Sequence, residues 1–516
     1  MALLFGRAGL VRLVRPISDF YAAGRLMPAL FNGMAIAASY MAVLVFVGLA
    51  GGLGAHWEGA GSLLLGGGVG LILAGILLAP FLRRSGGYTL PDFLAERFGG
   101  DRARPLAVFA LILCSFPALA TVLLGLGLLS AALFALPVAV GVAAGVALIF
   151  VATLLGGMRS LSLSQIAQFA VLLTASLAAI IVVLWETGTM ASAQTLVLGE
   201  VIPTLGLDIF AQSDAISRFA LIFCLATGTA SLPFLLMRSF TTPSAAGARA
   251  SFFASAVFAG VLCLAAPAFA ALFEAATVQA GSVLSMIAEA LLSVAAIAGL
   301  LAVGSALALS IANALSYDFY YKSLQPIAST RRRIFVARLS VIIVTGLAAI
   351  PALAAPGETL IATSAALSLA ASAFLPALVL GVWWKRATAD AALAGIVAGL
   401  LLCLYYMIAP HVIPFAFYES SSFLSNASDA QGSAYEALRQ SYYLADVSAK
   451  DAVLMDWKKT ALTVANWWGL HGVFAGLFAV PVGFIVIIGV SLFTRAPSDD
   501  VQRFVKGLRA ETLGPR

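Results

Sequence analysis

The sequence contains very little charge. Only 10% of its 516 residues are Asp, Glu, Lys or Arg, whereas a soluble domain carries about 25%. A soluble fold of this length must cover its surface with polar side chains, and this chain has too few of them. The scarcity of charge therefore excludes a cytosolic enzyme, a nucleic-acid-binding protein and a disordered chain.

Histidine and cysteine are scarce as well, at three and four residues. The histidines form no spaced ligand pair, which speaks against zinc and haem-copper chemistry. Each cysteine lies within an apolar stretch rather than in a disulfide framework. No P-loop is present, and the glycine-rich stretches lie in or beside apolar segments instead of opening a βαβ unit, so direct coupling to ATP is not indicated.

Apolar sequence is abundant: 62% of the residues are hydrophobic, and the mean hydropathy is +1.04. Because a membrane-spanning helix needs about 20 apolar residues, the sequence predicts an all-α polytopic membrane protein with about 12 transmembrane helices. The predicted spans are 29–51, 62–82, 105–127, 131–155, 163–184, 217–237, 251–274, 286–312, 335–353, 359–384, 390–409 and 470–493.

Lys and Arg are distributed unequally between the predicted loops. Loops rich in these residues alternate with loops almost free of them, and the segment 185–216 contains neither. Positive residues mark the cytoplasmic side of a membrane. The pattern predicts a multi-pass protein of the cell inner (plasma) membrane with both termini in the cytoplasm, and it assigns Arg97, Arg104 and Arg238 to cytoplasmic loops.

These spans divide the chain into two five-helix units of opposite orientation, an arrangement typical of inverted-repeat transporters. The large outer loop is interpreted as an interfacial aromatic cap, with a binding domain as the alternative. The predicted organisation is a cytoplasmic N-terminal segment at 1–28, a first repeat at 29–184, an outer loop at 185–216, a second repeat at 217–384, two additional helices with the large outer loop 410–469 at 385–493, and a cytoplasmic tail at 494–516.

The predicted spans contain almost no ionisable residues, and Asp318 falls at an inner end. An ion site would therefore use backbone carbonyls and hydroxyls, which become free only where a helix is broken. Two helices carry signs of a break: Asn32–Gly52, with polar residues near its middle, and Cys224–Arg238, with Thr, Gly and Ser before Pro233. They are the first helices of the two units, and matched breaks indicate a transporter site between them.

Seven segments, in order over roughly residues 19–405, resemble the sodium:solute symporter family, and most closely its acetate and monocarboxylate permease branch. They are DFYAAGR (Asp19–Arg25), NGMAIAASYM (Asn32–Met41), GGYTLPDFLAERFG (Gly86–Gly99), GGMRSLSLSQIAQ (Gly156–Gln168), GTASLPFLLMRSFTTPSAAGARAS (Gly228–Ser251), IANALSYDFY (Ile311–Tyr320) and AASAFLPALVLGVWWKR (Ala370–Arg386).

The resemblance implies a leucine-transporter-type fold, a 5+5 inverted repeat, and sodium-coupled uptake of a small organic solute by alternating access. By position, it implies a sodium (Na⁺) site at the carbonyls of Ala38 and Met41 and at residues from Ala302 to Ser305. The solute-binding residues that it implies are Ser39, Tyr40, Thr227, Gly228, Thr229 and Ser231.

The sequence departs from the family at some of these positions. Counted back from Asp318, the hydroxyl pair that many members carry on the eighth core helix falls at Ala302 and Val303, and Ser305 lies one turn away. The acidic residue that some members carry on the fifth core helix falls near Gln165.

The leading hypothesis is a cation:solute symporter that imports a small organic anion, such as acetate or another monocarboxylate. An alternative is a non-transporting sensor or accessory subunit on a degenerate symporter scaffold, which would add a small membrane companion subunit as a partner. A membrane-embedded enzyme is the third alternative, although no catalytic constellation is visible. The expected partners are a small-molecule solute and the lipid bilayer, and not nucleic acid.

Overall fold

A computed structural model of the chain describes residues 17–50, 57–154, 156–187, 215–265, 283–446 and 449–510. Every regular element in these ranges is helical. The first eight helices are α1 (Ile17–Ala22), α2 (Ala29–Ala50), α3 (Trp57–Leu77), α4 (Ala79–Ser85), α5 (Leu90–Phe98), α6 (Gly100–Phe134), α7 (Val138–Leu154) and α8 (Gly157–Thr187).

Two short segments extend helices of the second half: a 3-10 turn, Met237–Thr241, and a π-helix, Ala314–Leu324. They follow the helices Pro233–Leu236 and Val283–Asn313, respectively. The second group of helices is α9 (Ala215–Ser231), α10 (Pro233–Leu236), α11 (Ala245–Leu264), α12 (Val283–Asn313), α13 (Thr330–Ala354) and α14 (Pro356–Trp383). The last group is α15 (Ala389–Val412), α16 (Pro414–Ser421), α17 (Asp429–Leu444), α18 (Lys450–Val464), α19 (Gly476–Phe493) and α20 (Asp499–Arg509).

Nine helices of the described ranges are long and apolar enough to cross a membrane, and the bent pair α9–α10 brings the number to ten. This confirms the prediction of an all-α membrane protein. The helix α2 lies within the predicted span 29–51, and the shorter apolar helix α7 lies within the predicted span 131–155, but neither counts among these ten. The outer loop predicted at 185–216 lies mostly outside the described residues, as does most of the N-terminal segment 1–28.

Of the two predicted helix breaks, the structure contains one and lacks the other. The chain bends by 43° between Ala215–Ser231 and Pro233–Thr241, because Pro233 has no N–H to continue the ladder and Leu232 adopts a non-helical conformation. The break predicted in the first core helix is wrong: α2 runs without interruption from Ala29 to Ala50. Its central hydroxyl, on Ser39, donates to the carbonyl of Ala35 at 2.6 Å, so it stabilises the helical turn instead of replacing it.

Small residues let the helices approach closely. A Cβ atom at Gly66 would lie 2.7 Å from Leu225, and one at Gly70 would lie 2.6 Å from Thr229. The absence of a side chain at these two glycines therefore lets α9 pack closely against α3. On its other side α9 packs against α14, while α2 packs against α8, α11 and α12. These contacts surround α2 and α9 with protein and bury the predicted site.

The segment predicted as one large loop, 410–469, is mostly helical. It contains α16, α17 and α18, and we refer to these three helices as the cap. An apolar cluster inside the cap includes Tyr435, Trp457 and Val464, so the aromatic residues fill an interior of their own. The cap joins the rest of the described protein chiefly through α15 and the turn that precedes α19.

Candidate functional site

One pair of the predicted solute-binding residues meets across helices. The hydroxyl of Thr229 on α9 donates to the hydroxyl of Tyr40 on α2 at 3.1 Å, and both side chains are buried. The Tyr40 hydroxyl also occupies the space beside Gly67, where a Cβ atom would come within 1.9 Å of it. Tyr40 therefore bridges the first helix of each predicted repeat.

The other predicted solute-binding residues are buried but turned towards their own helices. Thr227 donates to the carbonyl of Phe223, and Ser231 donates to the carbonyl of Thr227, each at 2.7 Å. Ser39 bonds to its own helix in the same way. Gly228 faces α14, where an added Cβ would lie 2.8 Å from Leu367. The structure thus brings Tyr40 and Thr229 together and leaves the remaining polar groups satisfied locally.

The predicted sodium ligands lie on two helices that pack against each other, α2 and α12. Ala38 and Met41 belong to the continuous part of α2, and the side chain of Met41 lies outside the described residues. On α12, the carbonyl of Ala302 accepts a hydrogen bond of 2.7 Å from Nε2 of Gln165. The Oγ atom of Ser305 is buried and has no partner among the described residues.

The type of ion that could bind here follows from the donor set. The described residues hold no group of three or more His, Cys, Asp or Glu side chains that could bind a metal ion. Carbonyl and hydroxyl oxygens are the hard ligands at hand, and Ser305 supplies one that is free. Such a set suits an alkali cation better than a transition metal.

Three arginines that the charge pattern assigned to loops are partly or fully buried. Arg97 donates to the carbonyls of Gly381 and Ala387 at 2.8 and 3.0 Å, at the end of α14. Arg104 lies at the start of α6 and forms ion pairs with Asp92 and Asp318 at 2.9 and 2.6 Å. The third is Arg238. Arg104, Asp318 and Arg238 all lie in helices that are long and apolar enough to cross a membrane, just beyond the limits of the spans predicted from the sequence. That the spans themselves hold almost no ionisable residues stays a prediction.

Arg238 differs from the other two in its partners. Its side chain is 1% exposed, and it donates to Oγ of Ser162 at 2.6 Å and to Oε1 of Gln165. Both acceptors are neutral groups of α8. Among the described residues, no carboxylate forms an ion pair with it. Sequence reasoning missed this residue, although its place in the apolar stretch LPFLLMRSF was a usable signal.

A crevice opens beside Arg238, between α8, α10 and α12. The crevice is partly open, the empty space at its walls amounts to about 180 Å³, and no part of it is wide enough for a water molecule. Apart from Arg238 and Ser310 its walls are apolar, with Met158, Leu161 and Phe234 among them.

The ion pairs of Arg104 belong to a network at the end of the bundle where α2 begins. Asp318 also accepts a hydrogen bond of 2.6 Å from Thr89, and Tyr21 shares one of 3.1 Å with Ser316. Burial raises the pKa of Tyr21 to about 12, so its hydroxyl keeps its proton at neutral pH. The network holds α1, α5, α6 and the π-helical end of α12 together and closes this end of the bundle.

Comparisons with known proteins agree with this architecture. A family model described as the sodium:solute symporter family matches residues 20–399. An uncharacterized symporter of Cupriavidus necator is 29% identical, over 98% of this chain and 92% of its own length. Another uncharacterized symporter, YwcA of Bacillus subtilis, is 30% identical, over 75% of this chain and 80% of its own length.

Two further proteins bear on function and fold. A monocarboxylic acid transporter of Corynebacterium glutamicum is 28% identical, over 75% of this chain and 78% of its own length. The structure of a Na⁺-coupled sialic acid symporter superimposes with a TM-score of 0.68, over 96% of this chain and 97% of that chain, at 14% identity. The shared fold therefore extends over almost the whole chain.

Proposed function

The chain belongs to the sodium:solute symporter family, and we propose that it imports a small monocarboxylate, such as acetate, together with sodium. Family membership makes the protein a membrane transporter rather than an enzyme and implies sodium as the coupling ion. The solute class is the proposed part. The observation that carries it is the resemblance of residues 228–251, the segment that contains the bend of 43°, to acetate permeases.

Two observations support a monocarboxylate as the solute. The similar protein of Corynebacterium glutamicum is named as a monocarboxylic acid transporter. The resemblance of residues 228–251 to the acetate-permease segment points the same way. We propose that the solute binds near Tyr40 and Thr229, together with Ser39, Thr227, Gly228 and Ser231, after α2 and α9 separate enough to break the bond between Tyr40 and Thr229.

The proposed cation site lies between α2 and α12. Its ligands are the carbonyls of Ala38 and Met41 on α2, and the carbonyl of Ala302 and the hydroxyl of Ser305 on α12. The unpartnered Oγ of Ser305 supports this assignment, because a buried hydroxyl without a partner is costly unless a ligand satisfies it in another state. In the described state Gln165 holds the Ala302 carbonyl, so cation binding would require this amide to move.

The proposed topology is a 5+5 inverted repeat with two additional helices, 12 spans in all, and both termini in the cytoplasm. In support, the first and last described helices lie at the same end of the bundle: Arg159 on α8 pairs with Asp19 of α1 at 3.2 Å, and Arg84 donates to the carbonyl of Leu508 on α20 at 2.7 Å. The cap lies beyond the other end of α15. Alternating access would then rock the repeats around the bend at Leu232.

The decisive experiment is uptake of radiolabelled acetate into proteoliposomes, with sodium and proton gradients imposed separately at a clamped membrane potential. Protein-free liposomes control for passive entry of acetic acid. We expect uptake that depends on the inward sodium gradient. Acetate binding without uptake under either gradient would contradict the proposal and favour a non-transporting sensor. Absence of both binding and uptake would exclude acetate as the solute.

A further inference from the structure

We propose that the guanidinium of Arg238 binds the carboxylate of the transported solute, at a site in the crevice between α8, α10 and α12. This is a second position for the solute, apart from the residues around Tyr40 and Thr229 and towards the end of the bundle where α2 begins. The inference rests on the proposed function, because it requires an anionic solute.

The first argument is charge. A buried cation is unfavourable unless it is paired with an anion. Its removal from water costs desolvation free energy, which hydrogen bonds to neutral groups offset only in part. Two carboxylates compensate the desolvation of Arg104, and carbonyls at the end of α14 compensate that of Arg97. Arg238 is as deeply buried as Arg97 and more deeply buried than Arg104, yet its side-chain partners are one hydroxyl and one amide, without a carboxylate or the negative end of a helix dipole. An anion would supply the negative charge that these partners lack.

The second argument is the geometry of the donors. A guanidinium carries five N–H groups in a rigid fork that matches a carboxylate. Ser162 and Gln165 engage two of its nitrogens from a single helix, α8. Both acceptors can release the guanidinium without leaving a charge behind, because each is neutral. A carboxylate that arrives in the crevice can thus replace them and form the stronger, charge-assisted pair.

The third argument is the size and lining of the crevice. The apolar walls suit a short aliphatic chain, and Met158 and Met237 supply side chains that adapt to its shape. In the described state the space does not admit water, so the walls must part before a solute can enter. One wall belongs to α10 and its 3-10 extension, which follow the bend at Leu232 and can move relative to α9.

The position of Gln165 connects this site to the proposed cation site. Its Oε1 accepts from Arg238 while its Nε2 donates to the carbonyl of Ala302. A carboxylate on Arg238 would release one end of this amide and neutralise a positive charge that disfavours a nearby cation. Solute and sodium would then each promote binding of the other, as thermodynamic linkage requires of coupled sites.

The test places a competing carboxylate beside Arg238. Gln165→Glu keeps the length of the side chain and gives Arg238 a permanent ion pair. In sodium-saturated proteoliposomes we expect the KM for acetate to rise about tenfold, the order expected when a charge-assisted hydrogen bond to the solute is lost. Gln168→Glu is the matched control, because it makes the same change one turn along α8 at a residue with no bond to Arg238, and its KM should match that of the wild type.

A second variant decides the matter if Gln165→Glu does not fold. Arg238→Lys keeps the charge but loses the fork, so the KM for acetate should again rise while sodium dependence persists. An unchanged KM in either folded variant would overturn the inference. Wild-type protein in the same vesicles separates the two proposals: sodium-driven acetate uptake by the wild type with an unchanged KM in the variants removes only the Arg238 site, whereas no wild-type uptake removes both.

Discussion

The Nη1 atom of Arg104 lies 2.6 Å from Oδ1 of Asp318, although 214 residues separate the two in sequence. The pair joins the start of α6 to the π-helical end of α12. Asp318 is fully buried, and its second oxygen accepts from Thr89. The contact thus joins two helices of different predicted repeats at the same end of the bundle.

Replacing Asp318 by Asn should destabilise the protein. Removing one partner of a buried ion pair typically costs 3–5 kcal/mol, and because Arg104 retains Asp92 we expect about 2–3 kcal/mol here. Thermal unfolding in detergent measures the effect. Asp390→Asn is the control, since its ion pair with Arg102 spans 3.9 Å between side chains that are 71% and 81% exposed. Equal melting temperatures of the two variants would contradict the assigned role of Asp318.

Tyr40→Phe should weaken solute binding, because it removes a hydroxyl that is proposed to contact the solute. It should also lower stability by about 1 kcal/mol, because it removes the hydrogen bond from Thr229 while keeping the ring. Acetate affinity in proteoliposomes and thermal unfolding test the two parts. Tyr443→Phe, at an exposed position of the cap, makes the same change outside the site. An acetate KM equal to that of the wild type in Tyr40→Phe would remove Tyr40 from the solute site.

Ser305→Ala should raise the half-saturating sodium concentration for uptake, because it deletes the one hydroxyl of the proposed cation site that is buried and unpartnered. The sodium dependence of acetate uptake is the measurement. Ser176→Ala offers a matched comparison, since its Oγ is also buried without a partner but lies on α8. If both variants keep the sodium response of the wild type, Ser305 is not a cation ligand.

Gly157→Ala should lower stability by more than about 2 kcal/mol, combining backbone strain with a steric clash. Gly157 has a φ of 57°, and an added Cβ would lie 2.5 Å from the carbonyl oxygen of Phe20. Thermal unfolding measures the loss. Gly346→Ala, in α13, has nothing within 4 Å of the new Cβ and should be neutral or stabilising. A neutral Gly157→Ala would show that α1 does not dock where the structure places it.

Sequence reasoning succeeded where the physical signal is local. The lengths of the apolar stretches predicted the positions of the helices. Pro233 predicted the bend that follows α9, because the missing N–H of a proline acts within its own turn. It failed at α2, where polar residues suggested a break. The hydroxyl of Ser39 bonds back to Ala35, so the same residue type stabilises a continuous helix there.

The rest depends on contacts between residues distant in the chain. A rule based on charge counts places Arg238 in a loop, since the rule cannot tell a loop residue from one folded back against α8. The bond between Gln165 and Ala302 joins positions 137 residues apart, and no periodicity or motif indicates it. The fold was therefore largely predictable, whereas the polar contacts that define the site were not.

The cap is a suitable binding site for an antibody fragment in structural work on this protein. It has its own apolar interior and is fastened mainly to α15, a helix outside the two predicted repeats. An antibody fragment that recognises α17 and α18 would bind outside the two repeats that are proposed to rock. Such a fragment should enlarge the particle for electron cryomicroscopy and provide a fixed reference for alignment, without trapping the transporter in one conformation.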